Sequence, residues 1–440
     1  MYGTIRLIVL PLLCGSFLAA QSVDDTQLKE VIIFGRHGVR TPNLPNTVLD
    51  TFSALPFPSF SVPGVSVLTI NGAINETILG GYFRLWLTKR GMLTGNDSTD
   101  ANSIYFRADD LPLITDTAKA FAVGMLPNAN VTINTYTPPA NDPLFSSVAA
   151  GVASIDYPTA VAAVQGRLGD DPNSLASAFA SELALTRSIL FNYPVNPGPP
   201  APTPAGKTDV TDFASTPIEV TAGSGATPVD LGGLNNVIYA IDPFEMEYAD
   251  GLPDQDVGWG RLTAGGVSQT SRLYNLVLDL EFRTPYLARV QSSNLASHIV
   301  RSLVQASSGN PTGGALGKPS TKVIVLIAAN TNITGLAGLF HLDWLLPTYE
   351  ADVSAPSGTL VFELRQSQSS GAYIVRASYI AQTMEQLRHQ TVLTLDAPPA
   401  TAPVFIPGCS LRNATFDCPL GTFVAIANQL IDPYSVDLVH

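Results

Sequence analysis

One stretch decides the fold: Val31-Ile32-Ile33-Phe34-Gly35-Arg36-His37-Gly38-Val39-Arg40-Thr41-Pro42. Its first four residues are β-branched or aromatic and are followed by a glycine, which predicts a buried strand. A strand that ends in a glycine-containing loop places the next side chains at the carboxyl edge of a sheet. Open α/β sheets bind ligands at that edge. We therefore expect a ligand site at residues 36–42.

The side chains of this loop suit an anionic ligand. Arg36 and Arg40 flank His37, and each guanidinium offers a fork of donors that matches phosphate or carboxylate. An imidazole between two such groups could attack phosphorus while the arginines hold the equatorial oxygens. Thr41 belongs to the same loop and is a candidate substrate contact. The alternative, a loop whose histidine and arginines merely cap a helix, is less favoured because the whole pattern directly follows an apolar strand.

Composition limits the classes of partner. The chain has 440 residues and a formal net charge of −13, so it repels nucleic acid and anionic membrane surfaces. Its length allows one large domain or two. An anion would have to bind in a local pocket of arginines. We expect a small-molecule partner that is partly anionic or oxygenated, with no nucleic acid and, once a leader is removed, no membrane.

The N-terminus predicts export. Residues 1–20 read as a secretory signal peptide, with Arg6 as the positive region and an apolar centre at 7–13. Cysteine usage agrees, because Cys409 and Cys418 form an even pair near the C-terminus and predict a disulfide in an oxidising compartment. We therefore expect a secreted protein or one held in the lumen of the secretory pathway.

The chain also carries five sequons for N-glycosylation, which a secreted protein could use. The predicted glycosylation sites are Asn75, Asn96, Asn130 and Asn413. The fifth sequon, at Asn332, is not included because it falls in a predicted active-site loop.

The apolar periodicity predicts alternating strands and helices, hence a largely parallel sheet. Residues 146–290 differ, because they are mainly helical in pattern and lack long β-branched runs, so they read as an inserted cap. Elsewhere the patterns predict helices at 74–93, 115–125, 334–345 and 422–430 and strands at 103–106, 131–136, 323–327, 359–364 and 374–377.

The loop at 36–42 resembles the Arg-His-Gly-x-Arg-x-Pro motif of the histidine acid phosphatases. Further stretches are similar to the branch with bacterial periplasmic phytases and glucose-1-phosphatases. These are residues 141–145, 258–261, 283–285, 356–363 and 409–418. The resemblance implies an α/β fold, the histidine phosphatase (phosphoglycerate mutase-like) sheet domain, built from residues 21–145 and 291–440. A mainly helical cap at 146–290 would be inserted in it, with the site between the two.

The resemblance also shows two departures. The family uses a third phosphate-binding arginine, and matching through the segment after the second strand puts Leu113 there. It also uses a late His-Asp pair for phosphate contact and for protonation of the leaving oxygen, and Ala329-Asn330 stand in that place. An asparagine cannot deliver a proton. Loss of a general acid costs about 10²–10⁴ in rate, so the chain is expected to be impaired as an ordinary phosphatase.

Other polar residues could compensate. Asp109 and Asp110 follow the predicted strand at 103–106, and either is a candidate proton donor; Asp109 matches a substrate-contacting acid of the related branch. The alternative is that both cap the helix that follows. Asp242 matches an acidic residue that reaches into the site from the cap, with a solvated helix start as the alternative. Thr331 is a candidate both for capping its helix and for lining the pocket.

Three functions remain open at this stage. The preferred one is a repurposed, non-hydrolytic enzyme that uses His37, Arg36 and Arg40 on an organic small molecule, by isomerisation or cyclisation. Leu113 and Ala329 would line the apolar half of its pocket, beside Asn330. The alternatives are a phytase-like phosphomonoesterase with weak or altered activity through phosphohistidine, and a non-catalytic anion-binding protein. No cofactor is expected, and no metal, because no cluster has metal-ligand spacing.

Overall fold

A computed structural model describes residues 24–137, 141–169, 171–192, 202–224 and 227–438. The predicted leader at residues 1–20 lies outside this part of the chain. Among the helices that the structure does describe, none combines the length and the apolar character needed to cross a bilayer.

A mixed sheet forms the centre of the larger domain. The strands of the chain are β1 Thr26–Arg36, β2 Ile104–Ala108, β3 Ile133–Asn134, β4 Thr221–Ser224, β5 Thr227–Asp230, β6 Val323–Ala328, β7 Thr359–Ser367, β8 Tyr373–Ala381, β9 Ala400–Val404 and β10 Cys418–Pro419. The order in the central sheet is β10-β8-β7-β1-β6-β2-β3, with β9 added beside β8, and β4 and β5 pair separately. β1 pairs in parallel with β6, and β2 pairs in parallel with both β6 and β3.

The sheet is less parallel than predicted. β7 runs antiparallel to β1, and β8, β9 and β10 continue the antiparallel half. The reason is local, because β7 and β8 are joined by a short turn at 368–372 rather than by a crossover helix. The expectation of a largely parallel sheet is therefore correct only for β1, β6, β2 and β3.

The helices surround this sheet or build the cap. Most predicted helices occur with shifted ends, and the helix predicted at 334–345 begins earlier and ends at Phe340. The helices are α1 Asn46–Leu49, α2 Ile70–Lys89, α3 Asp97–Asp100, α4 Pro112–Met125, α5 Tyr157–Leu168, α6 Leu175–Ala178, α7 Ala180–Phe191, α8 Gly233–Ala249, α9 Ala264–Phe282, α10 Pro285–Ser308, α11 Asn330–Phe340, α12 Met384–Arg388 and α13 Leu420–Leu430.

β1 is buried on both faces, as its continuous apolar run predicts. Ile32 and Phe34 pack into one hydrophobic core with residues of α10, α11 and α13. Val31 and Ile33 face the other side and pack with residues of α2 and α4. β1, which leads to His37, is thus packed on both faces in the middle of the domain. This packing fixes the position of its end.

α4 is held tightly against α2. A Cβ atom added at Gly80 would lie 2.1 Å from the Phe121 carbonyl oxygen, and one at Gly124 would lie 1.9 Å from that of Thr77. Only glycine permits this approach of two helix backbones. The packing fixes the N-terminal turn of α4, which lies beside the motif loop.

The cap has a hydrophobic core of its own, built from α5, α7, α8, α9 and the hairpin of β4 and β5. Val39 of the motif loop and Leu49 of α1 also contribute to this core. The predicted boundary at residue 290 falls inside α10, so the junction is better placed before Pro285. The domain division itself remains a prediction.

Cys409 and Cys418 form the predicted disulfide, with their Cα atoms 5.1 Å apart. Among the predicted glycosylation sites, Asn96, Asn130 and Asn413 are exposed. Asn75 is fully buried on α2, and its Nδ2 donates to the Leu387 carbonyl oxygen at 3.0 Å. The glycan expected at Asn75 is therefore wrong for the folded chain, because the nitrogen that would carry it is enclosed and used.

Candidate active site

His37 lies directly after β1, at the carboxyl edge of the parallel half of the sheet. Its backbone N–H donates to the Ala328 carbonyl oxygen of β6 at 2.9 Å, and its own carbonyl accepts from the Ser357 N–H at 3.2 Å. The backbone is thus held from both neighbouring strands. The side chain is only 6% exposed.

The ring of His37 is held in one orientation. Nδ1 lies 3.0 Å from the Gly38 carbonyl oxygen, which can only accept, so Nδ1 carries the hydrogen. The lone pair is then on Nε2. Burial lowers the pKa of His37 well below its ordinary value, and the charges of Arg36 and Arg40 lower it further. Both effects favour the neutral, nucleophilic form of the imidazole.

Helix α4 supports the loop from below. The Gly38 N–H donates to the Thr117 hydroxyl oxygen at 3.2 Å, and that hydroxyl donates to the Leu113 carbonyl at 2.8 Å. Glu76 of α2 also packs against Gly38, because a Cβ atom there would lie 3.1 Å from its carboxyl oxygen. Burial raises the pKa of Glu76 to about 8, so it is neutral in acid.

Arg40 forms a salt bridge with a carboxylate of the cap. Its two terminal nitrogens donate to the two carboxylate oxygens of Asp242, at 2.9 and 2.7 Å. Although burial alone would lower the pKa of Arg40, the Asp242 carboxylate raises it above its ordinary value. The structure thus places Asp242 in the site, buried in the middle of α8, and not at a solvated helix start.

Arg36 also meets a cap carboxylate. It donates to the Ser354 carbonyl at 2.5 Å and lies 3.5 Å from a carboxyl oxygen of Glu245, one helical turn after Asp242. Its Nε has no hydrogen-bond partner among the described residues. Arg36 borders a cavity of about 20 Å³, room for roughly one water molecule, which is also lined by Glu245 and Tyr274.

The end of β6 brings Ala329 and Asn330 to the loop that carries His37. Ala329 is the residue before α11, and Asn330 is the first residue of the helix. Asn330 Nδ2 donates to the Tyr274 hydroxyl oxygen at 3.3 Å, a contact with the cap. Thr331 lines a neighbouring cavity but does not cap the helix, because it is the second residue of α11 and the capping position is occupied by Ala329. The capping role expected of Thr331 is therefore wrong.

Asp109 lies at the end of β2, with its N–H donating to the Ile327 carbonyl at 3.1 Å. It does not cap α4, whose preceding residue, Leu111, has no side-chain cap. Instead, Asp109 lines a cavity of about 150 Å³ together with Ala329 and Thr331. Burial raises its pKa to about 7, helped by Asp110 and by the charge of Asp142. The cavity thus holds a carboxyl group that is protonated in weak acid.

Leu113 contributes an apolar side chain to the packing of α4. It is buried in the hydrophobic core on the α2 and α4 side of the sheet, and Ala329 packs against the same core. The two residues for which the resemblance implies an arginine and a histidine therefore share one apolar environment.

The sequence did not reveal Tyr274, Glu245 or Glu76. Glu245 carried a weak signal, since it is three residues after Asp242 and so on the same face of a helix. The other two reach the loop only through tertiary packing. In the described ranges, no group of three or more His, Cys, Asp or Glu side chains is placed to hold a metal ion.

Comparison with known proteins agrees with this geometry. Residues 27–177 match the model of the histidine phosphatase superfamily (branch 2). Phytase AppA of Escherichia coli is 28% identical over 416 residues, which cover 93% of this chain and 93% of that protein. Glucose-1-phosphatase of Salmonella typhimurium is 26% identical over 424 residues, 95% of this chain and 96% of that protein.

Solved structures show the same relationship. Hafnia alvei phytase in complex with tartrate superposes with a TM-score of 0.83 and 27% identity, covering 94% of this chain and 99% of that one. The same phytase in complex with myo-inositol hexakis sulphate gives a TM-score of 0.81 and 26% identity, with coverage of 94% and 99%. The chain is therefore similar to a phytase and a glucose-1-phosphatase over nearly its whole length, and it has the fold of the solved phytase structures.

Proposed function

We propose that the protein is a phosphomonoesterase of the histidine acid phosphatase type, which forms a phosphohistidine at His37. The observation that carries this proposal is the state of that ring. Nδ1 is occupied by the Gly38 carbonyl, which leaves the Nε2 lone pair free between two arginines. Oriented donors around a developing phosphoryl charge supply most of the catalysis in such a reaction.

In the first step, Nε2 of His37 attacks phosphorus and the bond to the ester oxygen breaks. The departing oxygen takes the proton of the Asp109 carboxyl and leaves as an alcohol. In the second step, water attacks the phosphohistidine and gives a proton to the Asp109 carboxylate. Phosphate leaves and His37 is regenerated, so one ester and one water give one alcohol and one phosphate.

Asp109 suits the proton-donor role for two reasons. It is protonated in weak acid, because burial and its acidic neighbours raise its pKa to about 7. It also faces a cavity bordered by Ala329, whose small side chain leaves room for a leaving group where the family has a histidine. Asn330, which cannot donate a proton, is left with another role.

The relatives favour hydrolysis over the non-hydrolytic enzyme that the sequence alone suggested. Both curated relatives are named for phosphatase activity, a phytase and a glucose-1-phosphatase. One observation keeps the non-hydrolytic enzyme as a second candidate, namely that Leu113 and Ala329 pack on a common apolar core beside the arginines.

The test is hydrolysis of p-nitrophenyl phosphate in weak acid by the wild-type chain and two histidine variants. We expect His37→Ala to abolish turnover, because it removes the nucleophile, and His389→Ala to leave it unchanged. His389 is a matched control, since its side chain is 65% exposed and pairs only with Glu385 of its own helix. Equal activity of wild type and His37→Ala would reject the proposal.

A further inference from the structure

We infer that the hydroxyl group of Tyr274, oriented by Asn330, donates a hydrogen bond to a phosphoryl oxygen of the substrate. This inference rests on the proposed function. It gives the site a third donor in place of the missing arginine and histidine, and it assigns Asn330 a positioning role rather than an acidic one.

The first step of the argument is the direction of the hydrogen bond. Asn330 Oδ1 accepts the Thr331 N–H at 3.0 Å, so the amide is oriented with Nδ2 toward Tyr274. Nδ2 carries only hydrogens and must donate to the phenolic oxygen. The hydrogen of Tyr274 is therefore not used in this contact, and it has no acceptor among the described residues.

The identity of residue 330 decides this direction. An ionised carboxylate at position 330 could only accept a hydrogen bond. It would take the phenolic hydrogen for itself. An asparagine reverses the bond and leaves that hydrogen available to a ligand. The substitution that removes the acid thus creates a donor.

The second step is location. Tyr274 lies on α9 of the cap and lines the cavity beside Arg36, together with Asp242 and Glu245. Its hydroxyl is close enough to Arg36, Arg40 and Asp242 for their charges to act on its ionisation. A phosphoryl group held between the arginines at His37 would therefore lie next to this hydroxyl.

The third step is protonation. Burial raises the pKa of Tyr274 above its ordinary value, and the charge of Asp242 adds to the shift. The hydroxyl is therefore neutral wherever the enzyme would work, and it is a donor throughout. No proton transfer is needed, because the hydrogen bond only has to strengthen as charge collects on the phosphoryl oxygens.

The test compares Tyr274→Phe with Tyr286→Phe, using both turnover of p-nitrophenyl phosphate and binding of inorganic phosphate. Tyr286 is the control because its hydroxyl also makes a hydrogen bond, accepting the Asp156 N–H at 2.8 Å, but away from the arginines. We expect Tyr274→Phe to lower kcat/KM by on the order of 10²-fold, as loss of a single oxyanion donor does. It should weaken phosphate binding by about tenfold or more, and Tyr286→Phe should change neither.

A double-mutant cycle separates positioning from general damage. If Asn330 acts through Tyr274, Asn330→Ala weakens phosphate binding in the wild-type background but adds little to Tyr274→Phe. Additive losses would show that Asn330 acts by another route and would overturn its assigned role. Unchanged phosphate binding in Tyr274→Phe would overturn the inference itself.

The two measurements also separate this inference from the proposed function. Phosphate binding that depends on Tyr274 in a chain without turnover would retain the donor and reject the phosphatase. Turnover that depends on His37 but not on Tyr274 would do the reverse. Failure of the wild-type chain to bind phosphate at all would reject both.

Discussion

At the scale of single residues, the proposed mechanism divides the chemistry between His37 as the nucleophile and Asp109 as the acid. One is kept neutral with its pKa lowered well below the ordinary histidine value, and the other is kept protonated with its pKa raised to about 7. Opposite shifts of this kind at one edge of a sheet are the pattern that separates a nucleophile from an acid in many enzymes. They allow both to be in the active form together in weak acid.

Replacing Asp109 tests the acid. We expect Asp109→Asn to lower kcat on alkyl phosphates by about 10²–10⁴-fold, because a poor leaving group needs a proton. Its effect on p-nitrophenyl phosphate should be much smaller, since p-nitrophenolate leaves readily without one. Steady-state kinetics on the two substrate types measure the difference, with Asp116→Asn, an exposed carboxylate on the same side of the sheet, as control.

The pH profile gives an independent check. The acid must be protonated, so kcat on alkyl phosphates should fall as the pH rises through about 7. Asp110 helps to raise that pKa, so Asp110→Asn should move the alkaline limb of the profile to lower pH. A limb that stays in place in both the Asp109 and Asp110 variants would assign it to another group.

At this scale, the sequence predicted site residues where they lie next to one another in the chain. Arg36, His37 and Arg40 were predictable because the motif is unbroken and follows a buried strand. Tyr274 was not, because its partner Asn330 is 56 residues away and no local pattern links them. The burial that raises the pKa of Asp109 is likewise a tertiary property.

At the scale of elements, α8 is the part that governs the charge of the site. Asp242 and Glu245 lie one turn apart on this helix and meet Arg40 and Arg36, respectively. The two arginines are therefore partly neutralised before any ligand binds. Burial raises the pKa of Glu245 above its ordinary value, although Arg36 opposes the shift.

A variant of α8 tests this balance. Glu245→Gln should bind inorganic phosphate more tightly than wild type near neutral pH, on the order of tenfold, because a buried negative charge beside Arg36 is removed. The gain should disappear in acid, where Glu245 is already protonated. Phosphate itself titrates in this range, but comparing the two proteins at the same pH removes that contribution. Isothermal titration calorimetry measures the phosphate affinity of each protein.

Asp254→Asn is the control, because its side chain is 95% exposed on the same domain. A similar gain in this variant would indicate a general effect of net charge, and a gain in Glu245→Gln that persists in acid would contradict the assigned protonation.

Helices were predicted well where apolar residues recur at a clear helical period. α4 and α13 were expected at 115–125 and 422–430, and the structure extends each at its N-terminal end. Strand direction was not predictable, since apolar runs do not distinguish a crossover from a hairpin. The domain boundary at 290 stays a prediction, and it falls inside α10, which packs on elements of both the sheet and the cap.

At the scale of the whole molecule, buried carboxyl groups tie stability to pH. Burial raises the pKa of Glu76, Glu247 and Glu281 to about 8 from 4.5. Between those two values the folded chain holds more protons than the unfolded chain, so stability falls as pH rises. The lowered pKa of His37 makes stability rise with pH, but it is a single group against these three carboxyl groups.

We therefore expect the Tm to be higher at about pH 5 than at about pH 8. Glu247→Gln should reduce that difference, because the amide keeps an acceptor for the Gly258 N–H, which donates to Glu247 at 2.8 Å, and cannot ionise. Differential scanning calorimetry measures both, with the exposed Glu219→Gln as control. A Tm that rises from acid to neutral pH would contradict the assigned burial of these carboxyl groups.

The central claim is that the chain hydrolyses a phosphate monoester through a phosphohistidine at His37. The most direct test is the stereochemical course of hydrolysis of a monoester that is chiral at phosphorus through oxygen isotopes. Two in-line displacements, one by His37 and one by water, predict net retention of configuration. Inversion would mean that water attacks the ester directly, and it would contradict the account, as would the absence of hydrolysis.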